Sequence, residues 1–164
     1  MSPVLPGFHD FAGREDDIVL TPRRVARDVV SFFNPSGSIL DPCKGEGAFL
    51  DFMPGADWCE IREGKDFFEW NRRVDWIVSN PPYSIFSKFL RKSFEISDNI
   101  VYLIPINKVF SSDKILREIY EWGGVKAIYY VGDGKSMNWP IGGYCIGAVY
   151  FKRNYKGFIE FSVR

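Results

Sequence analysis

Histidine and cysteine are scarce in this chain, and their scarcity narrows its chemistry. His9 is the single histidine, and Cys43, Cys59 and Cys145 are the three cysteines of a 164-residue sequence. No metal-ligand spacing joins them, so a zinc site is not expected. An odd count of cysteines is a poor disulfide framework, and the three read as reduced thiols of a cytoplasmic protein. Neither sign of charge is in excess, since 21 basic residues balance 21 acidic ones. No overall positive field therefore drives tight non-specific binding to nucleic acid, and any polyanion contact has to be local. Apolar runs of bilayer-spanning length are missing, as are a basic-then-apolar leader, internal repeats and low-complexity tracts. Membrane insertion and secretion are not expected.

What is present is a large apolar and aromatic complement, 46% and 17% of the residues, enough for one domain to bury its own core. Residues 1–20 carry Pro3, Pro6, Gly7 and Gly13 and read as an extended arm, expected to fold over a bound ligand; residues 21–164 read as a single catalytic domain. Thr21-Pro22 opens a helix through Phe33, with Thr21 as N-cap, Pro22 in the first turn and Val25, Ala26, Val29, Val30 and Phe33 on one face. Arg23, Arg24 and Arg27 read as its solvated side.

The chemistry-bearing stretches follow. Ser38-Ile39-Leu40 is a short strand feeding Asp41-Pro42-Cys43-Lys44-Gly45-Glu46-Gly47 and then a short helix over residues 48–53. Gly45 and Gly47 permit a tight turn and close approach to a ligand, and a helix start offers free N–H groups. The spacing fits neither a P-loop nor the dinucleotide Gly-x-Gly-x-x-Gly pattern. A second strand over residues 56–61 places Glu60 nineteen residues after Asp41, near the spacing at which an acid reaches ribose hydroxyls. In Gly64-Lys65-Asp66-Phe67-Phe68, the acid beside an aromatic suits an adenine amino group and ring. Together these point to an adenosine-bearing cofactor.

Val74 to Val78 is a strand, and Ser79-Asn80-Pro81-Pro82-Tyr83 follows at its carboxyl end, where open α/β sheets bind ligands. An amine conjugated to a nucleobase or a carbonyl is a weak nucleophile and must be reshaped before it attacks. The Asn80 oxygen and the Pro81 carbonyl each suit one amine hydrogen, and Pro81 and Pro82 stiffen both acceptors. Tyr83 offers a face for stacking a planar group. Further on, residues 84–97 read as a helix, 100–105 as a central strand, 111–122 as a helix ended by Gly123-Gly124, and 125–131 as a strand. Residues 132–143 are a long loop with an exposed Trp139, 144–151 a strand, and 158–163 an alternating strand at the sheet edge.

Over residues 21 to about 151 the chain resembles the class I S-adenosylmethionine-dependent methyltransferases, and within them the amino-methylating group that contains the adenine-specific DNA methyltransferases. Asp41 to Gly47 is similar to that family's Asp-Pro-x-x-Gly-x-Gly cofactor motif, and Asn80-Pro81-Pro82-Tyr83 to its catalytic tetrapeptide. Thr21-Pro22 resembles an upstream element contacting the methionine end of the cofactor, in the gamma-type motif order. The resemblance implies a Rossmann-like α/β fold: a mostly parallel sheet with an antiparallel edge strand and helices on both faces. It implies S-adenosyl-L-methionine as cofactor, held by Thr21, Pro22, Asp41, Pro42, Gly45, Gly47, Glu60, Asp66, Phe67 and Asn80. It assigns catalysis to Asn80, Pro81, Pro82 and Tyr83 and substrate contact to Tyr83, with no metal; the turn at Lys108 and the loop carrying Trp139 are the places left for recognition. Methyl transfer to the N6 amino group of adenine in DNA is the implied activity. The same chemistry on an RNA base or a protein glutamine amide is the alternative, and a non-catalytic nucleic-acid-binding subunit is the alternative of another class.

Two features depart from the family pattern. Only five residues separate Glu60 from Asp66, so a helix and strand that normally intervene are deleted, the sheet is expected to be one strand short, and the ribose and adenine roles can exchange between the two acids. No segment is large enough for a target-recognition domain, which makes self-association or a partner subunit an expected source of sequence readout.

Overall fold

The computed structural model describes residues 19–139 and 143–164. The expected arm therefore lies outside the described residues except for Val19 and Leu20, as do residues 140–142 of the long loop.

The elements run α1 (Arg23–Phe33), β1 (Ile39–Asp41), β2 (Asp57–Trp58), β3 (Val74–Ser79), α2 (Phe86–Ile96), β4 (Ser97–Pro105), α3 (Asn107–Phe110), α4 (Asp113–Trp122), β5 (Gly123–Asp133), β6 (Cys145–Arg153) and β7 (Glu160–Val163). They form one seven-stranded sheet in the order β2-β1-β3-β4-β6-β5-β7. The pairs β1–β2, β1–β3, β3–β4 and β5–β7 are parallel. The antiparallel strand is β6, and it lies inside the sheet between β4 and β5, not at the edge where it was expected. Ile146 to Phe151 are all buried there, consistent with a strand covered on both faces. The edges belong to β2 and to β7, whose Phe161 and Val163 are both exposed.

Helices cover both faces, as side-chain contacts across β6 show. Tyr150 and Phe151 are adjacent on a strand and must point to opposite faces. Tyr150 meets Phe33 of α1, with ring centroids 5.7 Å apart, and Phe151 meets Phe86 of α2 at 6.4 Å. Complete burial of a ring such as Phe151 contributes about 1.5–3 kcal/mol to holding its helix against the sheet.

Local differences from the sequence expectation have local causes. The helix expected over residues 48–53 is only one 3-10 turn, Leu50–Phe52, because Pro54 follows at once. The second strand shrinks to Asp57–Trp58, leaving Glu60 as the N-cap of a single turn. Gly123 and Gly124 do not merely end α4; they begin β5. A Cβ on Gly123 would stand 2.1 Å from the Lys152 carbonyl oxygen, so β6 packs directly on the glycine backbone. Gly123→Ala is therefore expected to destabilise the protein by about 3 kcal/mol or more, read as a lower urea midpoint at unchanged slope.

Candidate active site

Strands β1 and β3 are parallel neighbours, with Leu40 beside Ile77, yet the chain leaves β1 toward β2 on one side and continues from β3 toward β4 on the other. That reversal of direction opens a crevice at their carboxyl ends. Asp41 ends β1 and Ser79 ends β3, so the two motifs legible in the sequence leave the sheet side by side.

A buried hydrogen-bond chain joins them. Ser79 Oγ lies 2.6 Å from Asp41 Oδ1, Cys43 Sγ lies 3.0 Å from Ser79 Oγ, and Cys43 Sγ lies 3.2 Å from the Asn80 carbonyl oxygen, to which it donates. Asp41 is 1% exposed, and its Oδ2 has no partner among the described residues. Burial pushes the Asp41 carboxyl up to about 7, against the lowering effect of the Ser79 hydrogen bond. Burial also pushes the Cys43 thiol well above its ordinary value, so it keeps its proton as a donor. The Ser79 O–H donates to Asp41 Oδ1, the Cys43 N–H donates to the same oxygen at 3.3 Å, and the Cys43 S–H donates to the Asn80 carbonyl, while burial and the unpartnered Oδ2 favour the protonated acid.

The stability consequence has a definite sign. Between the ordinary carboxyl value of 3.8 and about 7, the folded state holds a proton that the unfolded state has lost. Stability therefore falls as pH rises through that window, and the loss is complete above about 7.

The glycine turn is held from β2. Lys44 N–H donates to the Cys59 carbonyl at 3.0 Å and Cys59 N–H to the Asp41 carbonyl at 2.9 Å. Gly45 and Gly47 have φ of 54° and 85°, which L side chains rarely adopt. A Cβ at either would meet nothing closer than 3.9 Å, so conformation, not crowding, requires glycine there. Glu60 is the brace: Oε2 accepts from Gly45 N–H at 3.0 Å and Oε1 from the Arg62 N–H and Nε at 3.2 and 3.0 Å. Its carboxylate is thus engaged with the turn itself.

Asp66 caps the following turn through Phe68 N–H at 2.9 Å. The Phe67 ring is 2% exposed and stacks on Phe89 of α2 at 5.1 Å, so it is part of the core and only its backbone faces the turn.

Thr21, expected as the N-cap of α1, is not the cap. Pro22 holds that position and makes no side-chain capping bond. The Thr21 hydroxyl instead accepts from Asn80 Nδ2 at 3.1 Å, and the same nitrogen donates to the Val19 carbonyl at 3.0 Å. A cleft opens between these groups, lined by Val19, Thr21, Cys43, Gly45, Phe49 and Asn80 among others. Arg23, Arg24 and Arg27 are exposed, as expected of a solvated side; Arg23 also pairs with Asp51, and Arg24 donates to the Ser136 carbonyl at 3.2 Å.

Trp139, expected to be exposed, is buried. Its ring lies 6.4 Å from that of Tyr83 at 57°, and its Nε1–H donates to the Leu20 carbonyl at 2.8 Å. The loop is self-braced by Ser136 bonds to Asp133 and by Met137 and Trp139 amides on the Gly134 carbonyl, which delivers the Trp to Tyr83. Lys108 stands apart on α3, half-buried, with no hydrogen bond or ion pair among the described residues. Sequence reasoning missed Ser79 and Cys43 as working residues. The signal for Ser79 was a hydroxyl closing an apolar strand next to a motif; Cys43 occupies a variable motif position and gave none.

Among the described residues no cluster of His, Cys, Asp and Glu is arranged for a metal, and no helix is long and apolar enough to cross a membrane.

No protein-family model and no curated protein matches this sequence. Solved structures do match. A Listeria monocytogenes protein assigned to the class I S-adenosylmethionine-dependent methyltransferases superposes with a TM-score of 0.66 at 12% identity, covering 94% of this chain and 68% of that one. The chain has the class I methyltransferase fold. The modification subunit assigned to a type I restriction enzyme of Vibrio vulnificus YJ016 aligns with a TM-score of 0.63 at 16% identity, over 94% of this chain. The M protein of the type I restriction enzyme EcoKI aligns at 0.59 and 12%, over 85% of this chain. This methyltransferase fold spans 48% and 44% of those two proteins, respectively.

Asp41→Asn removes the titrating carboxyl and keeps an oxygen that accepts from the Ser79 hydroxyl. The variant is expected to flatten the pH dependence of stability between about 4 and 7 and to gain on the order of 1–3 kcal/mol at pH 8, measured by urea unfolding at several pH values.

Proposed function

We propose that the protein is an S-adenosylmethionine-dependent methyltransferase that methylates the exocyclic N6 amino group of adenine in DNA. One observation carries the reading. The Val19 carbonyl can only accept, so the nitrogen of the Asn80 carboxamide must face it, and Oδ1 therefore faces away. Both Nδ2 hydrogens are taken, and Oδ1 has no partner among the described residues. A free acceptor oxygen is thereby set at the cleft beside the glycine turn, as amine recognition requires.

The residues present fit the cofactor. The cleft is bordered by the Thr21 hydroxyl, the left-handed Gly45 backbone and Asn80; Asp66, which lies outside that lining and accepts from the Phe68 N–H, would offer its other carboxylate oxygen to adenine's amino group. Glu60 would hold the ribose by exchanging its bond to Arg62 for hydroxyl groups. When bound, S-adenosylmethionine supplies a methyl group on a positively charged sulfur that leaves as a neutral thioether.

The chain's own residues position the amine. Asn80 Oδ1 and the Pro81 carbonyl accept its two hydrogens and draw the nitrogen toward a pyramidal shape with its lone pair directed at the methyl. Tyr83 would stack on the base plane. Pro82 fixes the backbone that aims both acceptors. Catalysis here is positioning and electrostatics. Support for DNA as substrate comes from the likeness to two type I modification proteins, and a partner subunit or second copy would supply sequence readout.

The test is nucleoside mass spectrometry of DNA and RNA from a host lacking adenine methylation that expresses the protein or its Asn80→Ala variant. N6-methyladenine in DNA, reduced at least about 100-fold by Asn80→Ala while cofactor binding persists, is expected. Methylated base in RNA alone would move the substrate to RNA, and none in either pool from soluble, cofactor-binding protein would refute the nucleic-acid reading.

A further inference from the structure

The strap Val19-Leu20-Thr21 touches both halves of the site, and its hydroxyl does something a cofactor wall would not need. A threonine directly before Pro22 at a helix start ordinarily spends its oxygen on the helix's first N–H groups. Here it makes no such bond, and α1 begins on the Pro22 carbonyl, which accepts from Val25 and Ala26 N–H at 2.9 and 3.1 Å. The hydroxyl oxygen is turned instead to Asn80 Nδ2, 59 positions away in sequence.

A carboxamide on a single Cβ rotates with little resistance, because its terminal torsion is broad and two-fold. One bond to Val19 would leave the group free to swing about the N–H···O axis; a second bond removes that freedom. Together the Val19 and Thr21 bonds, at 3.0 and 3.1 Å, use both Nδ2 hydrogens and set the direction of Oδ1. The Thr21 O–H proton has no partner among the described residues, so accepting from Asn80 leaves the hydroxyl able to donate into the cleft that it lines.

We infer that Thr21 is a positioning residue for the transfer: by accepting from Asn80 it holds the carboxamide oxygen on the substrate amine. The inference rests on the proposed amine methylation for its kinetic part but not for its geometric part. It separates two roles for Thr21. A wall of the cofactor cleft sets cofactor affinity, whereas a positioning residue sets turnover once cofactor is saturating.

Thr21→Val keeps the shape and loses the acceptor, and Thr21→Ser keeps the acceptor. Neither removes a capping bond, so α1 is left as it is. At saturating cofactor and DNA, Thr21→Val is expected to lower kcat by about 10- to 100-fold, with Thr21→Ser within about threefold of the unaltered protein. Cofactor Kd, measured separately by calorimetry, is expected to move by less than kcat. An unchanged kcat with only a weakened Kd would overturn the inference. A second measurement needs no activity: hydrogen exchange of the Asn80 side-chain amide, its NMR signals identified by their loss in Asn80→Ala. Protection in the unaltered protein and in Thr21→Ser, lost in Thr21→Val, is expected; equal exchange in all three overturns the positioning role. If no substrate is methylated by the unaltered protein, the functional reading fails, and the exchange experiment still decides what Thr21 does to Asn80.

Discussion

The hydrogen bond between Ser79 and Asp41, 2.6 Å long and fully buried, is the constraint on which the site depends. It joins the carboxyl ends of two parallel strands at the point where the chain reverses direction across the sheet. Everything that follows each strand inherits that fixed separation. On one side the glycine turn leaves Asp41, braced by Glu60 and tied to Cys59; on the other the Asn-Pro-Pro-Tyr segment leaves Ser79, with Cys43 bridging back to the Asn80 carbonyl. A buried polar network is stabilising only when its members are satisfied, and burial of the unpartnered Asp41 Oδ2 favours the neutral acid against the bond from Ser79. The cost of burying the acid is thus converted into a fixed spacing between two loops.

A second layer holds the loops from above. The strap over residues 19–21 accepts from Asn80 on one side and from the Trp139 indole on the other. The cleft, the Asn80 carboxamide and the Tyr83–Trp139 ring pair therefore share one short piece of backbone. The compact edge of the sheet complements this arrangement. Where five residues carry the chain from Glu60 to Asp66, one 3-10 turn does the work of a longer crossover, and β2 is left as a two-residue edge strand.

Much of this was legible in the sequence because local rules and global fold agree. Apolar runs marked β3, β4 and β6, the glycines marked the turn, and the order of Thr21-Pro22, Asp41 to Gly47 and Asn80 to Tyr83 marked the crevice. The placement of β6 was not legible, since a buried run says how many faces are covered and nothing about direction. Nor was the state of Trp139: a long loop with an indole looks exposed until Tyr83 and the Leu20 carbonyl are brought to it by tertiary contacts. Phe67 illustrates the converse, where an aromatic beside an acid suggested a ligand contact and the ring packs on Phe89 instead. Thr21 was read through helix capping, which a long-range acceptor role to Asn80 overrode. Bonds between residues far apart in sequence are what single-sequence patterns carry least.

The central claim is that the crevice at the ends of β1 and β3 is the cofactor site. It is tested most directly by titrating the 15N-labelled protein with S-adenosylhomocysteine and mapping amide shifts onto the fold. The account predicts saturable binding, with the largest shifts at Thr21, Gly45, Gly47, Asp66, Phe67 and Asn80 and little change along β5 and β7. Absence of binding, or shifts concentrated away from the ends of β1 and β3, would contradict it.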